Sequence, residues 1–197
     1  GALSTSGRCK TLDATADGYG RSEGCVTFIS SRSNDMCSEQ IGSDACIAGS
    51  SINQDGRSSS LTTPNGASQK KLFECTAENV REILDMKIIA MHGTATPLGD
   101  PIEVAALVDV FSEKLNSTQC VTLCAPKSTL GHTEGAAGCH AMFLSVASLL
   151  SVQDAPIAHL RHVSRHVVSA VFNRANIGTT MQHRGGNADH KKVPIVN

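Results

Sequence analysis

Met86-Lys-Ile-Ile-Ala-Met91 runs without a break into His92-Gly-Thr-Ala-Thr-Pro-Leu-Gly-Asp-Pro101. The first six residues carry Lys87 as their single charge and read as a buried strand. Pro101 stands where the first turn of a helix tolerates it, with Asp100 before it as the expected capping residue. Ile102 to Leu115 then shows helical spacing, with Val104, Leu107, Val108, Phe111 and Leu115 along one face. The pattern repeats downstream. Cys120 to Ala125 reads as another strand, Pro126 to Glu134 as a loop, and residues 135–152 as a helix without charge. Strand, loop, helix, twice over, predicts an α/β fold with right-handed crossovers.

Upstream, Asp13 to Gly24 is a polar loop punctuated by glycine, and Cys25 to Ile29 reads as a short strand. Ala45–Ala48 is a weaker strand candidate. Asn53 to Arg57, extended through Pro64-Asn-Gly66, forms a second polar loop. Ser68 is the expected cap of a helix whose apolar side is Phe73, Ala77, Val80 and Leu84.

Composition narrows the functional classes. With 17 basic and 18 acidic residues in 197, the net charge is −1. The basic field of nucleic-acid binding is missing, as is any polybasic membrane patch. Five Phe, one Tyr and no Trp argue against stacking platforms for bases or sugars. The uncharged stretch between Glu134 and Asp154 is interrupted by Gly138, His140, Ser145 and Ser148, so it predicts a buried helix rather than a membrane span. None of the eight cysteines forms a Cys-x-x-Cys pair, which disfavours zinc and thioredoxin-like chemistry. They read as buried thiols acting as small hydrophobes, which suggests a reducing compartment without naming one. His159, His162 and His166 could share a helix face, but no acidic or thiol partner lies nearby, and a solvated loop is the expectation rather than a metal site. His183, His190, Lys191 and Lys192 read as a solvated basic terminus. The chain opens on Gly1 with no leader before it, which leaves a processed protein or a piece of a longer one.

His92 and His132 occupy matched positions. Each follows a buried strand at its carboxyl end and precedes a helix start eased by glycine, the edge where α/β sheets bind ligands. Together they could supply two donors to a developing oxyanion or enolate, and Lys127 could add positive charge. The expectation is that the two rings converge to within roughly 10 Å, the reach of one shared ligand.

Five segments resemble the ketosynthase domain of modular polyketide synthases, a branch of the β-ketoacyl synthase family with the thiolase-like fold. They are residues 7–24, Asn53–Ser58 with Leu61–Gly66, His92–Glu103, Lys127–Gly138 and the short run His159-Leu-Arg161. The likeness covers about residues 3–168, and several long motifs in order make it specific. It implies an incomplete thiolase-like fold, with residues 1–57 ending the first half, 58–170 supplying most of the second, and 171–197 an unplaced tail. It further implies a Cys-His-His triad in which cysteine takes an acyl chain from a carrier protein's phosphopantetheine, while the histidines assist decarboxylation of a malonyl-type extender and hold its enolate. His92 and His132 match those histidines, Lys127 the supporting lysine, and Thr94 and Thr96 the pair that binds the pantetheine arm. The resemblance implies no directly bound cofactor and no metal. It implies an acyl carrier protein as partner, with a missing amino-terminal ketosynthase segment or another chain.

The chain also departs from the family. No Asp-Thr-Ala-Cys-Ser-Ser type motif occurs, so the nucleophile is expected outside the chain, and Cys9 matches a non-catalytic cysteine. Leu12, Ala95 and Thr129 replace the family's phenylalanine, glycine and asparagine, and Asn176–His183 only faintly echoes its closing glycine-rich segment. Three readings follow: the carboxyl-terminal part of a β-ketoacyl synthase, inactive alone; a non-catalytic, ketosynthase-like structural subunit; or a carrier-binding module.

Overall fold

A computed structural model describes residues 2–31, 45–58, 60, 63–80, 88–112, 114, 121–151, 156–171, 177–180 and 192–194. In chain order the elements are α1 (Gly66–Asn79), β1 (Ile88–Ala90), α2 (Gly99–Phe111), β2 (Val121–Cys124), α3 (Pro126–Leu130), a 3-10 turn (Glu134–Ala136), α4 (Ala137–Ser151), α5 (Arg165–Val171), β3 (Ile177–Thr180) and β4 (Lys192–Pro194). The strands lie in the order β1-β2-β3-β4. β1 pairs parallel with β2, β2 parallel with β3, and β3 antiparallel with β4. Parallel neighbours joined through α2 make this the α/β unit that the alternating pattern predicts.

The apolar stripe of α2 explains the core. Val104, Leu107, Val108 and Phe111 are all buried, as their spacing predicts, and they join Leu12, Met91, Leu123, Ile157, Val167 and Val171 in one cluster. Leu115 and Leu84 lie outside the described residues, as do Met86, Lys87, Cys37 and Cys120. Asp13 ties the first loop to the chain before α5. Its Oδ2 accepts the N–H groups of Arg161 and His162 at 2.7 and 3.0 Å. The amino-terminal loop and the short run ending at Arg161 are thus one structural unit.

Several expectations need correction. α1 is capped by Asn65, whose side chain accepts from the N–H groups of Ala67 and Ser68, so Ser68 is a recipient rather than the cap. Asp100 does not cap α2 either: Leu98 holds the cap position without a side-chain bond, while Asp100 sits buried in the first turn. Neither Cys25–Ile29 nor Ala45–Ala48 forms a strand, and Ile29 is fully exposed. Among the described residues their β-propensity meets no neighbouring strand to pair with. Of the six described cysteines only Cys9 and Cys124 are buried; Cys25, Cys46 and Cys139 are exposed and Cys75 is half-buried. His159 and His162 lie in exposed turns ahead of α5, in keeping with a solvated loop, whereas His166 falls inside α5. The tail is partly placed: Ile177–Thr180 extends the sheet beside β2, and Lys192, expected in a solvated terminus, lies in β4. His183, His190 and Lys191 are outside the described residues.

α4 departs most. No described helix is long and apolar enough to cross a membrane. Yet α4 is not a buried helix either. Of its residues only Ala137 and Ser148 are buried, while Cys139, Met142, Phe143, Leu149 and Leu150 are exposed. With half-buried Val146 between them, their spacing of three and four residues makes a continuous apolar stripe, the form a helix presents to another packed element.

Candidate active site

His92 is placed by its backbone. It follows β1, and its N–H and that of Gly93 both donate to the Glu103 carboxyl, at 2.6 and 2.9 Å. Glu103 is the second acid of the Gly99-Asp-Pro-Ile-Glu103 run and projects from the first turns of α2. Gly93 has φ +49°, and a Cβ there would lie 2.9 Å from the Thr11 methyl, so glycine is required by both conformation and space. Thr11 Oγ1 donates to the Gly93 carbonyl at 2.8 Å and completes the clamp.

Lys127 fixes the ring. It comes from α3 and is only 4% exposed. Its Nζ donates to the His92 carbonyl at 2.6 Å and lies 3.4 Å from His92 Nδ1. An ammonium has only protons to give, so Nδ1 is the acceptor and the neutral ring carries its hydrogen on Nε2. Burial, then the charge of Lys127, then His132 push the His92 pKa down to about 4. Burial also lowers Lys127, against the pull of Glu103, Cys9 and Asp100.

His132 is held by a different set. Gly131, at φ +79°, turns the chain out of α3, and a Cβ there would meet the Ser22 side chain at 2.9 Å. The His132 N–H donates to the Gly20 carbonyl at 2.7 Å, and the Ser22 N–H donates to the His132 carbonyl at 3.0 Å. The Glu134 N–H donates to Nδ1 at 3.0 Å, which again leaves the hydrogen on Nε2. Burial first and Lys127 second lower its pKa, while Glu134 raises it.

The two rings stand 5.7 Å apart between centroids, at 87°. His92, His132 and Lys127 are therefore brought together, within the distance that the matched loops predict. Tyr19 packs edge-on against the His132 ring, 4.8 Å away at 60°. Two neutral imidazoles, each with an Nε2 donor, beside a buried ammonium suit an oxygen that gains negative charge.

Thr94 and Thr96 sit in the same loop with hydroxyls 3.4 Å apart, and Thr96 Oγ1 also accepts the Gly99 N–H at 3.1 Å. Ala95 between them has φ +58°, which explains the family's glycine here; alanine costs about 1–2 kcal/mol in that conformation. Leu12 is likewise left-handed, at φ +62°. Both are steadied by Asp100, whose carboxyl accepts the Leu12 N–H at 2.8 Å and the Ala95 N–H at 3.0 Å. Burial, aided by the charge of Glu103, lifts Asp100 to about 7 against those two bonds and Lys127.

Asp100 and Glu103 are the residues that reading the sequence for chemistry passes over. Their signal is two acids on the buried side of an apolar helix, directly after the histidine loop. Acids in that place need donors, and the loop backbone supplies them.

Residues 44–163 match the family described as "Beta-ketoacyl synthase, C-terminal domain". A phenolphthiocerol/phthiocerol polyketide synthase protein of Mycobacterium tuberculosis is 41% identical over 167 residues, 84% of this chain and 7% of that protein. An orsellinic acid synthase of Armillaria mellea is 37% identical over 143 residues, 71% of this chain and 6% of its own length. The ketosynthase from module 6 of the bacillaene synthase of Bacillus subtilis superposes with a TM-score of 0.72 at 28% identity, over 96% of this chain and 34% of that one. The chain thus spans about a third of a solved ketosynthase and a small fraction of the curated synthases. With its α/β unit, its paired histidine loops and these matches, the chain belongs to the β-ketoacyl synthase family, as a carboxyl-terminal ketosynthase portion with the thiolase-like fold.

Proposed function

We propose that this chain supplies the decarboxylation and enolate-holding half of a polyketide ketosynthase. The observation that supports it most is the imidazole pair at 5.7 Å, with both Nδ1 atoms occupied as acceptors and Lys127 buried beside them. In this reading an extender arrives as a malonyl-type thioester on the phosphopantetheine of an acyl carrier protein. Thr94 and Thr96 hydrogen-bond the arm. His92 and His132 donate from Nε2 to the thioester oxygen as carbon dioxide leaves, and Lys127 holds His92 neutral and in register. The enolate then attacks an acyl group carried by a cysteine that this chain does not supply. Residues 1–57 close the first thiolase-like half and 58–170 build the second. The exposed stripe of α4 is the face that the rest of the ketosynthase covers.

The test compares this chain alone with the same chain joined to an amino-terminal ketosynthase segment bearing the nucleophile. Alone, it is expected to show no stoichiometric acylation by intact mass and no condensation; joined, it should gain both. Without a nucleophile the two-step covalent route is closed. Acylation of the isolated chain that disappears on mutating one cysteine would overturn this reading. Joined protein that loads acyl groups normally but never condenses would favour the structural-subunit alternative.

The pKa of His92 gives a second test. Its folded-state value of about 4 lies below the ordinary 6.5, so the neutral ring stabilises the fold fully above pH 6.5 and loses that contribution as pH falls toward 4. From about pH 7 down to about pH 5 the His92 ring should therefore stay neutral, so that His92 contributes no acid limb to the decarboxylation profile of the joined protein in that range. An acid limb at the ordinary imidazole value, abolished by replacing His92, would contradict the buried geometry.

A further inference from the structure

Tyr19 is a candidate because of where its backbone is tied. The Gly18 N–H donates to the Ala95 carbonyl at 2.8 Å, in the His92 loop, and the Gly20 carbonyl accepts the His132 N–H at 2.7 Å. Gly18-Tyr19-Gly20 therefore spans the two histidine loops. Its own position is rigid. Tyr19 N–H donates to the Ala2 carbonyl at 3.0 Å, and its carbonyl accepts the Ser4 N–H at 2.9 Å. A Cβ on Gly18 would lie 2.3 Å from the Ala2 carbonyl oxygen, and one on Gly20 would lie 2.1 Å from that of Gly7. Only glycine on either side allows so close a backbone approach.

The pinned tripeptide presents one ring, and that ring meets His132 at 4.8 Å and 60°, an edge-on aromatic contact. His132 needs such a support. Apart from the edge of the His92 ring, 5.7 Å away between centroids, its ring is restrained by the Glu134 N–H bond at an exposed position, where water competes. The Arg21–Glu134 ion pair at 3.3 Å is exposed on both sides and adds little.

We propose that Tyr19 is a positioning residue that fixes the His132 imidazole against His92, so that both Nε2 donors face one oxygen. The inference rests on the functional reading above. The ring acts and the hydroxyl does not, so phenylalanine should serve as well.

The test uses the complete ketosynthase with malonyl-N-acetylcysteamine as probe, following carbon dioxide release. Tyr19→Ala is expected to lower kcat by about 10-fold with KM within about twofold, and Tyr19→Phe to stay within about twofold of the parent. On a His132→Ala background, Tyr19→Ala should cost no further rate, because it acts through the ring already removed. If Tyr19→Ala does not melt cooperatively, Tyr19→Leu keeps the bulk without the aromatic edge and is expected to show the same kcat loss. Parent-like kcat in Tyr19→Ala, a loss in KM alone, a Tyr19→Phe variant as impaired as alanine, or full multiplication with His132→Ala would each overturn the inference. A His132→Ala variant as fast as the parent would overturn the functional reading beneath it. A rate lost in His132→Ala but kept in Tyr19→Ala would remove the positioning role alone.

Discussion

Replacing His132 by alanine in the complete ketosynthase is expected to slow decarboxylation of a malonyl thioester by about 10²- to 10³-fold while KM stays within about twofold. The size follows from what the ring does. Its Nδ1 is occupied by the Glu134 N–H, so Nε2 is the donor, and His92 presents the equivalent donor 5.7 Å away between ring centroids. A donor aimed at an oxygen only as that oxygen becomes negative stabilises the transition state and leaves substrate binding nearly untouched. His92→Ala should lose a similar factor. In the proposed role the two act on one oxygen, so the double variant should lose far less than the product of the single losses. Fluorescent or calorimetric binding of an unreactive thioester analogue separates the two effects. Loss of binding with a kcat preserved at saturation would show that His132 holds the substrate rather than the developing charge.

Glu103→Ala should destabilise the fold by about 3 to 5 kcal/mol, the largest stability loss expected around this site. One carboxyl accepts two backbone N–H groups, from His92 and Gly93, and it is buried. Burial pushes its pKa up, and those two donors and Lys127 pull it back. Alanine leaves both N–H groups without an acceptor, each worth about 1 to 3 kcal/mol when buried, and it removes the carboxyl that most favours the charged form of Lys127. Glu103→Gln keeps one carbonyl acceptor and turns its amide toward the other donor, so about half the loss should remain. Urea unfolding of the complete ketosynthase at neutral pH reads the difference directly. A loss under about 1 kcal/mol for alanine would mean that the loop finds other acceptors and that Glu103 does not define it.

How much of this was legible beforehand depends on the range of the interaction. The apolar spacing of Val104, Leu107, Val108 and Phe111 is a property of residues one or two turns apart, and α2 forms with that face inward. The same holds for the strand-to-loop junctions at His92 and His132. Parallel strands leave the ends of both on one edge of the sheet, so the convergence of two histidines 40 residues apart could be expected from order alone. Where local pattern and long-range partner disagree, the sequence misleads. Asp100 reads as a helix cap, a local bond, yet its carboxyl serves Leu12, 88 positions away. Among the described residues, Cys25–Ile29 has strand composition but no strand to pair with, and α4 has core composition but an uncovered face.

The α/β alternation, the two histidine loops and the family are therefore legible in the order of residues, because each is written in short-range periodicity or in contiguous motifs. Tertiary structure alone decided that Glu103 holds the His92 loop, that Asp100 steadies two left-handed residues, that Lys127 sets the tautomer of His92, and that Tyr19 leans on His132. Each of these is a hydrogen bond or ring contact outside any helical or strand repeat, whether it joins Asp100 to Leu12 88 positions away or to Ala95 only 5 away. Its existence depends on ångström-scale placement, which no periodicity encodes.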